Sequence, residues 1–128
     1  MKLHQDPSQA LNTVTGYGPG YVEVNKIRYE HSAIIAPEGE IQAWPVPRFD
    51  ALEPSHFDRL RALDPEVVIF GSGDRLRFAH PRLTTSLTSV RIGVDAMDTQ
   101  AACRTYNILM SEGRRVVLAL LIETEAAA

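Results

Sequence analysis

Gly71, Ser72 and Gly73 stand directly after the apolar run 67–70, where a nucleotide-binding loop would set backbone N–H groups against a phosphate. The dinucleotide pattern asks for a third glycine at position 76 and a helix that opens at once. Here position 76 is Leu76 and the next helix start is Pro81. Asp95 follows the loop by the roughly 20 residues expected of an acid that binds a ribose hydroxyl. There is no Gly-Lys-Ser or Gly-Lys-Thr for a phosphate loop, so the spacing favours a structural turn over a phosphate site. Ser72 has the outline of a hydrolase nucleophile, but that motif needs glycine two positions earlier and Phe70 is there. Nothing fixes a histidine beside it; His80 is merely the nearest downstream. Cys103 falls in the first turns of a helix, whose N-terminus lowers a thiol pKa. It lacks a second cysteine and sits in an apolar pattern, which makes it a small, buried, unreactive side chain. His4, His31, His56 and His80 are scattered, so neither a metal nor a cofactor is expected.

The helix that carries Cys103 is the other concentration of unusual residues. Ala102, Thr105 or Tyr106, Leu109 and Gly113 define an apolar stripe, and Arg104, Asn107, Ser111 and Arg115 a polar one. Asparagine is a mediocre helix former, so a mid-helix Asn107 needs a reason such as a partner hydrogen bond. In open α/β sheets, strand ends and adjacent helix starts form the usual crevice. The candidate ligand- or partner-binding surface is therefore Gly71, Ser72, Gly73, Asp95, Met97, Arg104, Asn107 and Ser111.

Positioning these residues requires a core, and 128 residues suffice for one domain that buries roughly two thirds of its unfolded surface. Thirteen basic against sixteen acidic residues give a net charge of −3, and the only adjacent basic pair is Arg114-Arg115. That is no electrostatic grip for nucleic acid. The single cysteine points to a reducing compartment, and the first residues lack a secretory or mitochondrial leader pattern. The longest apolar run, 116–122, is far too short to span a bilayer. A cytoplasmic protein without membrane insertion is the expectation.

Along the chain, residues 1–12 read as a loose N-terminal arm and 123–128 as a frayed tail of a single domain. Alternation at 21–24 and 27–33 predicts two strands joined by an Asn25-Lys26 turn. After the Pro37-to-Glu40 turn comes a short strand at 41–44, so the first third is expected to be a β-meander. Ser55 and Asp58 read as a capping box for a helix that Asp64-Pro65 ends. Further on, 67–70 is a buried strand, 81–87 a helix, 90–94 a strand, 98–113 a helix capped by Asp98 or Thr99, and 116–122 the last strand. Strands separated by helices favour a sheet covered on both faces.

The run Met97, Thr99, Ala102, Thr105, Tyr106, Asn107, Glu112, Arg114 and Val116, together with Trp44-Pro45 and the Gly71/Gly73 pair, resembles the uncharacterised domain family that includes mitochondrial respiratory complex I assembly factor 3 and the adipogenesis-associated domain protein of animals. The resemblance extends from about Tyr17 to Ile122. It implies an α/β fold of three layers, a mixed central sheet with helices packed on it and an additional N-terminal β-meander layer. It also implies a non-catalytic binding or assembly module whose partner is a protein, such as a respiratory-complex subunit or assembly intermediate, bound by a monomer. The competing class is a small-ligand or nucleotide-binding protein, or an enzyme, that uses the Gly71-Ser72-Gly73 loop.

Overall fold

A computed structural model describes residues 10–123. Among these residues the chain forms β1 (Val14–Gly18), β2 (Tyr21–Val24), β3 (Ile27–Tyr29), β4 (Ala33–Ile35), β5 (Gln42–Ala43), α1 (Pro54–Asp58), β6 (Val67–Gly71), α2 (Pro81–Thr88), β7 (Gly93–Met97), α3 (Thr99–Ser111) and β8 (Val116–Leu120). Every residue of β8 is buried, and the strand lies at the middle of a five-stranded sheet ordered β5-β4-β8-β6-β7. Strand side chains alternate between faces, so β8 and the residues after it feed two cores. Val116, Leu118, Leu120 and Ile122 meet Ala102, Cys103, Tyr106 and Met110 of α3. Val117, Ala119 and Leu121 meet Phe57, Leu60, Leu83 and Leu87 from α1, its 3-10 extension and α2.

The separate sheet β1-β2-β3 is the third layer. Its Val14, Val22 and Val24 close over the α3 side of the first core. The three-layer expectation therefore holds, with the meander layer confined to β1–β3. Strands β4 and β5 leave it and extend the central sheet, β4 pairing antiparallel with β8. The crossing is fixed at Ser32. Its buried hydroxyl donates to Val46 O at 2.7 Å and accepts from Ile122 N at 2.8 Å, so the strand read from 27 to 33 is broken there.

The Asn25-Lys26 turn forms without glycine, at φ 51° and 72°. Side chains stabilise this left-handed geometry. Asn25 Oδ1 accepts from Thr13 N at 3.0 Å, and Lys26 N donates to Thr15 Oγ1 at 3.0 Å. The helix expected from Ser55 is capped two residues earlier. Glu53 is the N-cap and Pro54 occupies the first turn, while Glu53 N donates to His56 Nδ1 at 2.9 Å. A 3-10 segment, Arg59–Leu63, carries it to Asp64 at φ 52°.

The parts of the expected arm and tail within the described residues are anchored. Asn12 Nδ2 donates to Ala36 O at 2.9 Å and Gly39 O at 2.8 Å, and Glu123 is ion-paired to Arg77. Residues 1–9 and 124–128, where the rest of both expectations falls, lie outside the described residues.

Candidate functional site

Strand β6 has β7 on one side and β8 on the other, both parallel to it. Because α2 leads to one flank and α3 to the other, the C-terminal end of β6 is a topological switch point, the usual ligand crevice of such sheets. A cleft of about 490 Å³ opens beside it, lined by Gly73, Asp74, Asp98, Thr99, Gln100, the β1–β2 hairpin at Tyr17 to Tyr21, and Leu121 to Glu123.

The loop at this point is held by its own hydrogen bonds. Ser72 is fully buried. Its Oγ accepts from Arg77 N at 2.9 Å and lies 2.8 Å from Arg75 O and 3.1 Å from Met97 O, which share its hydrogen. Ser72 O accepts from the Arg77 guanidinium at 2.6 Å and 3.2 Å. A hydroxyl so engaged holds a turn and is not presented to a substrate. Gly73 has φ +109°, a conformation other residues rarely adopt, and a Cβ there would stand 2.9 Å from Arg77 Nη2. At Gly71 an added Cβ would run into the Leu120 side chain and come within 3.3 Å of Ala102 Cβ, so this glycine lets α3 approach the sheet.

The helix start is engaged in the same way. Thr99 N donates to Gly73 O at 2.7 Å, and Ala101 N to Asp98 Oδ1 at 2.9 Å. Asp98 is thus the N-cap, one of the two residues, Asp98 and Thr99, that the sequence offers. An incoming phosphate would find these donors taken and the Asp74, Asp98 and Glu123 carboxylates around it, an arrangement that repels anions.

Glu123 was not legible as a site residue, since its partners lie 46 and 74 positions away. Its carboxylate accepts from Arg77 Nη2 and Phe49 N, both at 2.8 Å, and Arg77 stacks over Phe49 with 4.6 Å to the ring centroid. Burial opposes its charge, but Arg77, the Phe49 amide and nearby Arg75 together hold the carboxyl below its ordinary range. A carboxyl whose folded pKa is depressed contributes stability above its unfolded pKa and loses it as pH falls through the folded value. Glu123→Gln should therefore destabilise the protein at neutral pH, and the gap between variant and native protein in urea titrations should close as the pH falls below about 4, in the ordinary carboxylate range.

The other candidate residues do not join this cleft into one surface. Met97 meets the loop through its carbonyl, which accepts from Ser72 N at 2.8 Å, but does not line the cleft. Asp95 is exposed on β7, the outermost strand of the sheet. Arg104 and Asn107 face a different layer, in a shallow groove between α3 and β1 of about 330 Å³. There the Asn107 amide is bound within the chain itself. Oδ1 accepts from Val14 N at 3.0 Å and Nδ2 donates to Val14 O at 2.9 Å. Its reason for standing mid-helix is to clamp β1. Ser111 ends α3, its hydroxyl donating to Ile108 O at 2.8 Å. At 1.5 Å per residue it lies roughly 18 Å along the axis from the switch point.

Cys103 is buried against the β1–β2 layer, and burial pushes its thiol up to about 12. Since the thiolate is the reactive species, a thiol reagent at neutral pH should label Cys103 orders of magnitude more slowly than in the urea-unfolded chain. Equal rates would show that the layer does not cover it. Among the described residues no group of three or more His, Cys, Asp or Glu side chains is placed to hold a metal ion, and no helix is long and apolar enough to cross a membrane.

Comparison with known proteins accords with this fold. The family model described as "Protein of unknown function (DUF498/DUF598)" matches residues 14–121. The chain is 32% identical over 123 residues to a Bos taurus protein named NADH dehydrogenase [ubiquinone] 1 alpha subcomplex assembly factor 3, covering 94% of this chain and 66% of that protein. It thus spans just under two thirds of that relative's length. It is 26% identical over 117 residues to a Francisella tularensis protein named 13 kDa major membrane protein, covering 91% of this chain and 95% of the other. Among solved structures, a Bordetella pertussis protein described as a Mth938-like domain superposes with a TM-score of 0.82 at 42% identity, covering 99% of this chain and 97% of that one.

Proposed function

The chain belongs to the family described as protein of unknown function (DUF498/DUF598), and within it we propose that this protein is a non-catalytic assembly module acting on a subunit or intermediate of a respiratory NADH dehydrogenase. Its relatives named as assembly factors suggest an assembly-type role. The observation that carries the reading is the engagement of the groups that could react. Ser72 Oγ is committed to the loop, the α3 start is capped from within the chain, and Cys103 is buried with its pKa raised. What the fold presents instead is surface: a cleft rimmed by carboxylates and an open sheet edge.

In this reading the protein works in the cytoplasm as a monomer and reaches a membrane complex through its partner. The test is deletion of the gene in its host, followed by native-gel separation of membrane complexes. Assembled NADH dehydrogenase should fall and smaller sub-complexes accumulate, with recovery on return of the native gene. Unchanged assembly, or turnover of a small substrate by the isolated protein, would overturn the proposal.

A further inference from the structure

Strand β7 closes the five-stranded sheet on its long side, and no strand among the described residues pairs with its outer edge. The opposite end is β5, only two residues long, and β1 in the other sheet is engaged by Asn107. Met97 O turns inward to accept from Ser72 N. Because strand residues alternate in the side to which they direct their N–H and C=O, Val94 and Ala96 direct theirs outward, away from β6. Two donors and two acceptors thus stand ready on one short edge.

Beside that edge lies a groove of about 390 Å³ whose walls are β7, α2 and the loop before α2, with Phe78, Thr84, Thr88, Val94, Ala96 and Met97 among its lining. Phe78 is 73% exposed and Leu76, on the same loop, 50%. Apolar side chains left in water next to unpaired backbone mark a binding surface. An edge strand running alongside a helix, with a groove between them, is the arrangement that takes an extended peptide as an added strand.

Charge decides the occupant. Asp95 is the one charged residue of β7 and its middle residue. It is in register with Ile69, which belongs to the α3-side core, whereas Val94 and Ala96 pack toward the α2 side. In the fully paired antiparallel register a second copy would set Asp95 against its own counterpart, and like charges directly opposite are destabilising. A foreign strand meets no such conflict when it carries Lys or Arg at that position.

We infer that the β7 edge binds an extended segment of a partner protein by strand addition, with apolar side chains alternating with a basic residue that faces Asp95. This deepens the assembly-module reading by naming the partner's chemistry, and it is tested in isolation, so its failure is distinguishable from a failure of the assembly phenotype.

The experiment is selection of a displayed random-peptide library on the immobilised full-length chain. Enriched peptides should alternate apolar residues with a Lys or Arg. Ala96→Pro withdraws one outward N–H and should weaken them about tenfold, while Asp95→Lys should turn the preference toward Asp and Glu with the melting temperature unchanged. If Ala96→Pro fails to fold, peptides N-methylated at alternate bonds replace it, and binding should depend on which alternate set is methylated. No enrichment, equal binding to the native chain and both variants, or insensitivity to N-methylation would overturn the proposal. So would concentration-dependent dimers of the native chain that competing peptides do not dissolve.

Discussion

Trp44→Ala will lower the unfolding free energy by about 3–5 kcal/mol, the range for deleting a large buried aromatic side chain. Trp44 is almost wholly buried. Its ring stands edge-on to Phe57 at 5.6 Å and Phe70 at 6.1 Å between centroids, and Phe57 in turn meets Phe70 at 5.6 Å. The three rings join β5's flank, α1 and β6 on the α2 side of the sheet, so alanine leaves a cavity that three elements border. The indole also has a polar task. Nε1 donates to His56 O at 3.0 Å, tying the proline-bracketed segment after β5 to α1. Trp44→Phe should therefore cost less than alanine, about 1–3 kcal/mol, because it keeps much of the ring packing but leaves the carbonyl without its donor. Urea titration followed by far-UV circular dichroism reads both variants. A midpoint shift for Trp44→Ala no larger than that of an exposed substitution would mean that the aromatic cluster does not hold α1 to the sheet.

The same cluster shows what the sequence makes legible. The run at 67–70 between a proline-bearing turn and a glycine marks β6 directly, because a strand buried on both faces has to be continuously apolar. β8 reads out in the same way, and the Asp98-Thr99 pair announces α3 because a short acceptor before a helical pattern has few other uses. β1 was not legible. Its residues Val14, Thr15, Gly16, Tyr17 and Gly18 include two glycines and one buried position, and they are strand because β2 pairs with them and Asn107 binds them from 93 positions away. β7 was displaced for a local reason. The alternation Val90, Ile92, Val94 imitates a strand, but α2 ends with Ile92 N bonded to Leu87 O and Arg91 at φ 67°. The strand therefore starts at Gly93 and runs to Met97.

The candidate site was legible in its types and not in its geometry. Gly71 and Gly73 were expected to serve the backbone, and each does so differently, one by close packing and the other by positive φ. Arg77 and Glu123, which hold the loop, carry no motif, since an ion pair between distant positions leaves no local pattern. Arg104, Asn107 and Ser111 share a helical stripe, yet a stripe specifies only a direction from the axis. It does not say that another layer of the same chain already lies on it.

Asn107→Leu should therefore detach β1 where a docking role would have left the fold intact. The variant keeps the branched side-chain outline and raises helix propensity, but removes both hydrogen bonds to Val14, leaving a part-buried N–H and C=O without partners, at a cost of about 2–4 kcal/mol. Asn107→Asp separates the two bonds. The carboxylate still accepts from Val14 N but faces Val14 O with no proton to donate, so its deficit should shrink as the carboxyl is protonated at low pH. The loss is local before it is global, because β1 touches the core chiefly through Val14, and neighbouring anchors such as Tyr106 Oη donating to Asn12 O at 2.7 Å hold the segment's other side. Amide exchange should accelerate first in β1 and β2. Cys103, beneath this layer, is a second reporter, and its labelling at neutral pH should rise in the same order as the amide exchange, Asn107→Leu above the native protein. Unchanged exchange in β1, together with unchanged Cys103 labelling and an unchanged melting temperature, would return Asn107 to the exposed binding face and remove the clamp from this account of the fold.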